Sequence, residues 1–294
     1  MRPTFDLQSH SIHSDGALPP SEVVARAAQA GMTLLALTDH DTIDGVPEAQ
    51  DAARRHGIAL SPAAELSAVH GSYEDLHILG YELDPGDTDL RAALQDFRGD
   101  RARRIDQMAE RLRALGFALD DTPLEVRRAA GKPIGRPHLA DAVLAHPANA
   151  QRLKEEGIDG RDALFPPYLV PGAAAYVPRS RPTVPEAIEV IHAAGGVAVW
   201  AHPFWDVAEE AEALATLRTF VAAGLDGVEC FYATHTRDQT YALHRAAEGL
   251  LTTGSADFHG PGHERFDTFG GFELYDLEPN LGPIGARGPS PYRR

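Results

Sequence analysis

Among 294 residues there is a single cysteine, Cys230, which excludes an intrachain disulfide and, with no second thiol nearby, a thiolate metal cluster. Any bound metal must therefore use His, Asp and Glu. Also missing is an apolar run approaching the roughly 20 residues that cross a bilayer, so no membrane span is expected. The first residues, MRPTFDLQSH, lack the apolar core of a secretory signal and lead straight into a candidate strand. The expected compartment is the cytoplasm. Positive charge is scarce, with 27 Lys and Arg against 43 Asp and Glu and a formal net charge of -16. Such a balance opposes a long polyanion, a DNA duplex included. It does not oppose a small phosphate ester, because divalent cations in a carboxylate-rich pocket neutralise phosphate.

At this length one barrel of roughly 200–250 residues with an insertion fits as well as two domains. Short apolar runs alternate with amphipathic helical patterns, the rhythm of βα units, and make the fold class α/β. The spacing of Val23, Val24, Ala27 and Ala28 predicts a helix over 20–31, followed by a buried strand over 32–37. A second helix spans 46–57, a third strand starts at 58–60 and ends near Glu65, and a fourth covers 77–81 with His77 opening it. From about 90 to 116 the pattern is helical and charged, and short helices with Gly/Pro breaks continue to 178 without a clear strand. Residues 91–178 are thus expected as an inserted helical lobe within a discontinuous barrel domain, 1–90 and 179–278. Alternation resumes with a capping box, Thr183 and Glu186, and a helix closed by Gly195-Gly196. Strands follow at 197–200, in GLDGVECFY and in LLTTGSADFHG, with helices near 210–223 and 241–248 between them. Residues 279–294, rich in Gly, Pro and Arg, are expected as a mobile tail.

Polar groups gather just past these apolar runs, where barrel enzymes build their sites. Gln8 and His10 are two apart and project from one face of the first strand; Asp15 lies just beyond. His40, Glu65, His77, His202, Asp257 and His259 accompany the later runs. A lone histidine is more often a satisfied core or surface residue. A row of them at repeated strand ends points to a metal site. Mixed imidazole and carboxylate donors suit Mn, Zn or Fe better than Mg or Ca. No GxSxG elbow is present, so a metal-activated hydroxide attacking phosphorus in line is expected in place of a side-chain nucleophile. Trp200 and Trp205 flank His202, where a pocket wall, a stacking surface for a base and a core role stay open. A core role is expected for Trp200, and neither is counted as a site residue.

The segments DLQSHSIHSDG, LTDHDT, AELS around Glu65, HILGY, WAHP and SADFHG are similar to successive motifs of the PHP (polymerase and histidinol phosphatase) family. The similarity spans almost the whole chain. Within the family it is nearest to stand-alone phosphoesterases that include nucleoside 3',5'-bisphosphate phosphatases and short-RNA 5'-3' exoribonucleases. The resemblance implies a distorted (β/α)7 barrel of the PHP type with an inserted helical lobe, holding up to three metals; two to three divalent ions are expected, and the donor chemistry favours manganese, with zinc or iron as alternatives. It implies one metal held by Gln8 or His10 with Glu65 and Asp257, a second by Glu65, His77 and His202, and a third by Asp15, His40 and His259. Glu65, Asp257 and His202 would activate water as metal ligands. The family has HxH where this chain has Gln8-Ser9-His10, and an amide oxygen is a poorer ligand than imidazole for a borderline metal. The resemblance also supports Arg136, His138 and Arg179 for substrate phosphate, where an arginine fork can grip two oxygens, and His235 at the rim. The bland reading of the arginines is surface ion pairing.

The expected partner is a small phosphorylated substrate, a nucleotide or short oligoribonucleotide. Hydrolysis of a phosphomonoester such as a nucleoside 3',5'-bisphosphate leads, and 5'-3' exoribonuclease action on short RNA comes next. A histidinol-phosphate phosphatase and a non-catalytic metal-binding module are the remaining alternatives.

Overall fold

Proline and apolar spacing set the first helices. The computed structural model describes residues 3–129 and 134–286. It opens with β1 (Phe5–Asp6), α1 (Pro20–Gln29), β2 (Leu34–Leu37), α2 (Val46–His56), β3 (Ala59–His70) and β4 (Tyr73–Tyr81). Pro20 starts α1 where its missing N–H costs nothing. Val23, Val24 and Ala27 of α1 and Ala49, Ala52 and Ala53 of α2 bury their faces in one apolar cluster with Leu35 and Leu37 of β2. Helices α3 (Thr88–Ala114), α4 (Thr122–Ala129), α5 (Arg136–Ala145), α6 (Ala150–Glu155) and α7 (Arg161–Tyr168) follow, with no strand between them among the described residues. The alternation returns with α8 (Val184–Ala193), β5 (Val197–Trp200), α9 (Pro203–Asp206), α10 (Glu210–Ala222), β6 (Gly227–Tyr232), α11 (Arg237–Ala246) and β7 (Leu251–Ser255). At the start of α8 the expected capping box is present: the Thr183 hydroxyl accepts from the Glu186 N–H, and the Glu186 carboxylate accepts from the Thr183 N–H. Such caps contribute about 1 kcal/mol.

The seven strands form one mixed sheet in the order β1 to β7. β4 runs against both its neighbours, while the other pairs are parallel. Beyond β1 the Leu7 N–H donates to the Gly254 carbonyl at 3.1 Å, and Ser9 pairs with Phe258. The sheet is thereby nearly closed into a barrel. The expected end of the third strand at Glu65 and start of the fourth at His77 are both corrected. β3 continues to His70, turns at Gly71 (φ 58°), where a side chain would be strained, and returns as an antiparallel β4 that pairs His77 with Ser67. The tip of this hairpin is partly exposed, so it carries no continuous apolar run to read.

The chain divides into two compact units, 1–95 with 182–294, and 96–181. The first contains the sheet. The second has its own apolar core, including Leu112, Leu139, Val143 and Leu164. Of the expected tail, 287–294 lies outside the described residues. Asn280 exchanges hydrogen bonds with Thr252, and the Gly285 N–H donates to Glu82 at 3.0 Å. Among the described residues no helix is long and apolar enough to cross a membrane.

Candidate metal centre

The chain leaving β1 runs alongside the end of β7: His10 N–H donates to the Phe258 carbonyl at 2.8 Å, and Phe258 N–H to that of Gln8 at 3.3 Å. It then enters a loop gathered by Asp39. That carboxylate accepts from the Ser11 N–H (2.6 Å), the Ser11 hydroxyl (2.7 Å) and the Ser14 hydroxyl (2.8 Å). Gly16 closes the loop where an added Cβ would lie 2.2 Å from the His10 carbonyl oxygen, so no larger residue fits. The loop presents Asp15 to three imidazoles: Oδ1 is 3.6 Å from His10 Nδ1 and 3.6 Å from His259 Nε2, and Oδ2 is 3.5 Å from His40 Nε2.

Glu65 is delivered differently. β2 stops at Leu37 while β3 continues, and a bridge between His40 and Glu65 sets Glu65 level with the residues just past β2. Residues 65 and 67 share a face of β3, and cross-strand partners share a face too. The reversed β4, with His77 opposite Ser67, therefore brings His77 onto the Glu65 side of the ribbon, Nδ1 2.8 Å from Oε1. His202 and Asp257 follow β5 and β7 in left-handed backbone, at φ 28° and 55°. Such conformations cost about 1–3 kcal/mol and persist where surroundings enforce them. Glu229 of β6 does so for His202 by accepting its N–H at 2.9 Å, and the Tyr232 hydroxyl donates to Asp257 Oδ2 at 2.9 Å.

Glu65 is the hub. Its Oε1 lies 2.8 Å from His77 Nδ1 and 3.3 Å from His202 Nε2, and its Oε2 3.1 Å from His10 Nε2 and 3.5 Å from His40 Nδ1. His10 Nε2 is also 3.1 Å from Asp257 Oδ1. One donor atom from each of His10, Asp15, His40 and His259 lies within 4.8 Å of the others, as do atoms of His40, Glu65 and His77. Yet His10 Nε2, His40 Nδ1, Glu65 Oε2, His202 Nδ1 and Asp257 Oδ1 are buried without a hydrogen bond of acceptable geometry. Leaving one such group unsatisfied costs about 1–3 kcal/mol. His202 Nδ1 looks toward Asp206 at 3.9 Å; the other four face one another closely without bonding, as ligands around a cation are placed. The donor set, imidazole with carboxylate, fits a divalent ion.

Charge agrees with that reading. Burial opposes a charged ring at His10, but the Asp257 and Glu65 carboxylates outweigh it and hold the ring well above the ordinary histidine range. Burial likewise opposes charge at His202, where Glu65 prevails and moves the pKa up to about 9. For Glu65 and Asp257 burial raises the pKa, and the surrounding imidazoles more than reverse it. The pocket thus calls for positive charge that either protons or a divalent cation can supply, and only neutral imidazoles can ligate.

Gln8 is fully buried, and its Nε2 donates to Glu65 Oε1 at 3.0 Å. An ionised carboxylate has no hydrogen to give, so chemistry fixes this orientation of the amide. Its Oε1 faces the Ser255 hydroxyl at 3.4 Å. His235 is buried behind Tyr232, 5.3 Å between ring centroids, and its Nδ1–H donates to the Cys230 carbonyl at 3.1 Å. Burial pushes its pKa down to about 4. The ring is neutral and Nε2 carries a lone pair, which cannot donate to phosphate. The other three expected phosphate residues lie in the second unit. Arg136 opens α5 and donates to the Leu169 carbonyl at 3.3 Å; His138 Nδ1 accepts the Gly135 N–H at 3.0 Å; the buried Arg179 donates to the Arg181 carbonyl at 3.3 Å.

Sequence reasoning missed Asp39, Glu229, Tyr232 and Ser255, whose hydroxyl donates to Glu229 at 2.6 Å. Glu229 carried a signal, as the lone charge in the apolar run GVECFY. Asp39 sits inside a motif already noted, and its two oxygens are taken up by Ser11 and Ser14, which sets it apart from the cluster's donor atoms.

A family model described as PHP domain matches residues 6–84. Over 287 residues, 95% of this chain and 94% of the relative, the chain is 37% identical to a 3',5'-nucleoside bisphosphate phosphatase of Chromobacterium violaceum. Over 266 residues, 89% and 92%, it is 35% identical to a 5'-3' exoribonuclease of Haemophilus influenzae. Among solved structures, an amidohydrolase from Chromobacterium violaceum with sulfate bound and no metal aligns with a TM-score of 0.71 at 31% identity, across 98% of this chain and 99% of that one. A candidate metal-dependent phosphoesterase from Bifidobacterium adolescentis aligns at 0.67 and 30% identity, across 90% and 91%. Similarity of this extent reaches from the His10 loop through β7, and the chain belongs to the PHP family as a metal-dependent hydrolase of phosphoric esters.

Proposed function

We propose that the chain removes phosphate from a small nucleotide, a nucleoside 3',5'-bisphosphate being the preferred class, with two to three divalent cations of which manganese is the native one. The observation that carries the reading is the convergence of His10 Nε2, His40 Nδ1, Glu65 Oε2 and Asp257 Oδ1, buried side by side without a hydrogen bond of acceptable geometry. In this reading His10, Glu65 and Asp257 hold one cation, Glu65, His77 and His202 a second, and Asp15, His40 and His259 a third. Gln8 serves as the donor that holds Glu65 in place.

Bound divalent cations supply Lewis acidity toward phosphoryl oxygen and water. The chain's own residues orient and shield. Tyr232 fixes Asp257 through one oxygen and leaves the other toward His10; Glu229 fixes the His202 backbone; Asp39 fixes the loop that carries Asp15. Such supporting contacts commonly contribute 10–100-fold to metal affinity or activity. No serine or cysteine nucleophile is required, and Cys230 is buried with its thiol pushed up by burial. The reaction belongs in the cytoplasm, where nucleotides are abundant.

Similarity to the bisphosphate phosphatase supports the leading substrate, and similarity to the exoribonuclease supports 5'-3' trimming of short RNA by the same centre. Manganese-supplemented assays on adenosine 3',5'-bisphosphate and on a 5'-phosphorylated oligoribonucleotide separate the two. Faster turnover of the bisphosphate is expected, and turnover of neither would remove both.

A further inference from the structure

Trp205 is the one Phe, Tyr or Trp among the described residues that stands exposed, at 49%. It lies on α9, directly after His202, and its N–H donates to the His202 carbonyl at 2.8 Å. Its ring packs on Phe266 with centroids 5.8 Å apart. Phe266 is buried, 5.7 Å from the His259 ring and 6.1 Å from the Tyr232 ring. Its carbonyl accepts the His259 N–H at 2.8 Å. A row of rings therefore leads from the proposed ligands His259 and His202 outward to one uncovered indole. The Arg265 guanidinium lies 5.8 Å from the centroid of that indole, a cation–π contact that restrains the ring.

The indole beside the phosphoesterase centre is flanked by Phe266 at a tilt of 58° and by Arg265, yet half of its surface stays open, which leaves room for a flat ring to stack on it. Every nucleobase has a flat π-face to offer, so stacking on such a ring is tolerant of base identity. We propose that Trp205, backed by Phe266, binds the base of the substrate nucleotide and selects nucleotides over base-free sugar phosphates. The proposal rests on the nucleotide reading above and adds the subsite for its base. Trp200, the only other tryptophan, is fully buried, so change in tryptophan emission on binding reports Trp205.

Two measurements decide it. Adenosine 5'-monophosphate should quench tryptophan emission of the as-purified protein where ribose 5-phosphate does not, and Trp205→Phe should lose that quench. Trp205→Ala should raise KM for adenosine 3',5'-bisphosphate about tenfold with kcat held. KM for the 1-deoxyribose 3,5-bisphosphate, which lacks the base, should stay unchanged, and Trp205→Phe should recover most of the loss. Equal effects on both substrates, or a quench that persists in Trp205→Phe, overturn the proposal. Quenching by the mononucleotide without turnover of the bisphosphate removes the reaction assigned above and leaves the stacking site standing.

Discussion

The two units bury polar groups in opposite ways. In the helical unit Asn149 is buried and complete: its Nδ2 donates to the carbonyls of Ala118 and Val143, both at 2.7 Å, and its Oδ1 accepts the Ala118 N–H at 2.9 Å. Several of its charges sit outside in exposed pairs such as Arg113–Asp121 and Arg128–Asp106. In the barrel unit His10, Glu65 and Asp257 are buried and incomplete, each with an atom that finds no hydrogen bond. A polar group kept for architecture closes its bonds within the fold. One kept for chemistry leaves a bond for something that arrives.

The sharpest test of that contrast is Asp257→Asn, which keeps shape and can keep Tyr232 as a neighbour while removing charge. Turnover should fall about a thousandfold and bound metal should drop, read by steady-state rates and elemental analysis; wild-type values for both would erase the distinction. His235 probes an incomplete group away from the cluster. With a pKa of about 4 against the usual 6.5, the folded chain binds fewer protons there than the unfolded chain. Its contribution is whole above pH 6.5 and disappears as pH falls through about 4. His235→Asn should therefore flatten the fall in stability across that window by up to about 3 kcal/mol, and parallel pH curves would contradict it.

Asn149→Ala should cost about 2 kcal/mol in urea unfolding with kcat of the folded protein unchanged. A loss of kcat would make Asn149 more than architecture. Gln8→His should add a ligand and tighten one metal position about tenfold without abolishing turnover, and calorimetry showing unchanged affinity and stoichiometry would count against residue 8 lying within reach of that metal. Asp106→Asn should change stability by no more than about 0.5 kcal/mol, since its pair with Arg128 is exposed; a larger change would mean that the outer charges of the helical unit also matter.

Periodicity carried much of the barrel. The helical faces of α1 and α2, the buried β2 and β5, and the Thr183–Glu186 cap are each written locally, within one or two turns of chain. The reversed β4 is not local. Its direction depends on the Gly71 turn and on pairing with β5, while its exposed tip dilutes the apolar signal. Among site residues, His10 and Glu65 stood out as motif members, but their meeting depends on how far β3 overshoots β2. Glu229 and Tyr232 act through other residues' backbone or side chains, and only contacts in three dimensions assign them such work.

Barrel closure through Leu7 with Gly254 and Ser9 with Phe258 also sets a timetable. A ribosome-bound chain carries His10, His40, Glu65 and His77 long before Asp257 and His259 are made, and domains assemble from the N-terminal side during synthesis. On the proposed assignment these early ligands exist for a time without their late partners. The proposed set is complete only once β7 has emerged and the chain after β1 has sealed against it, so that set belongs to the finished barrel, not to the growing chain.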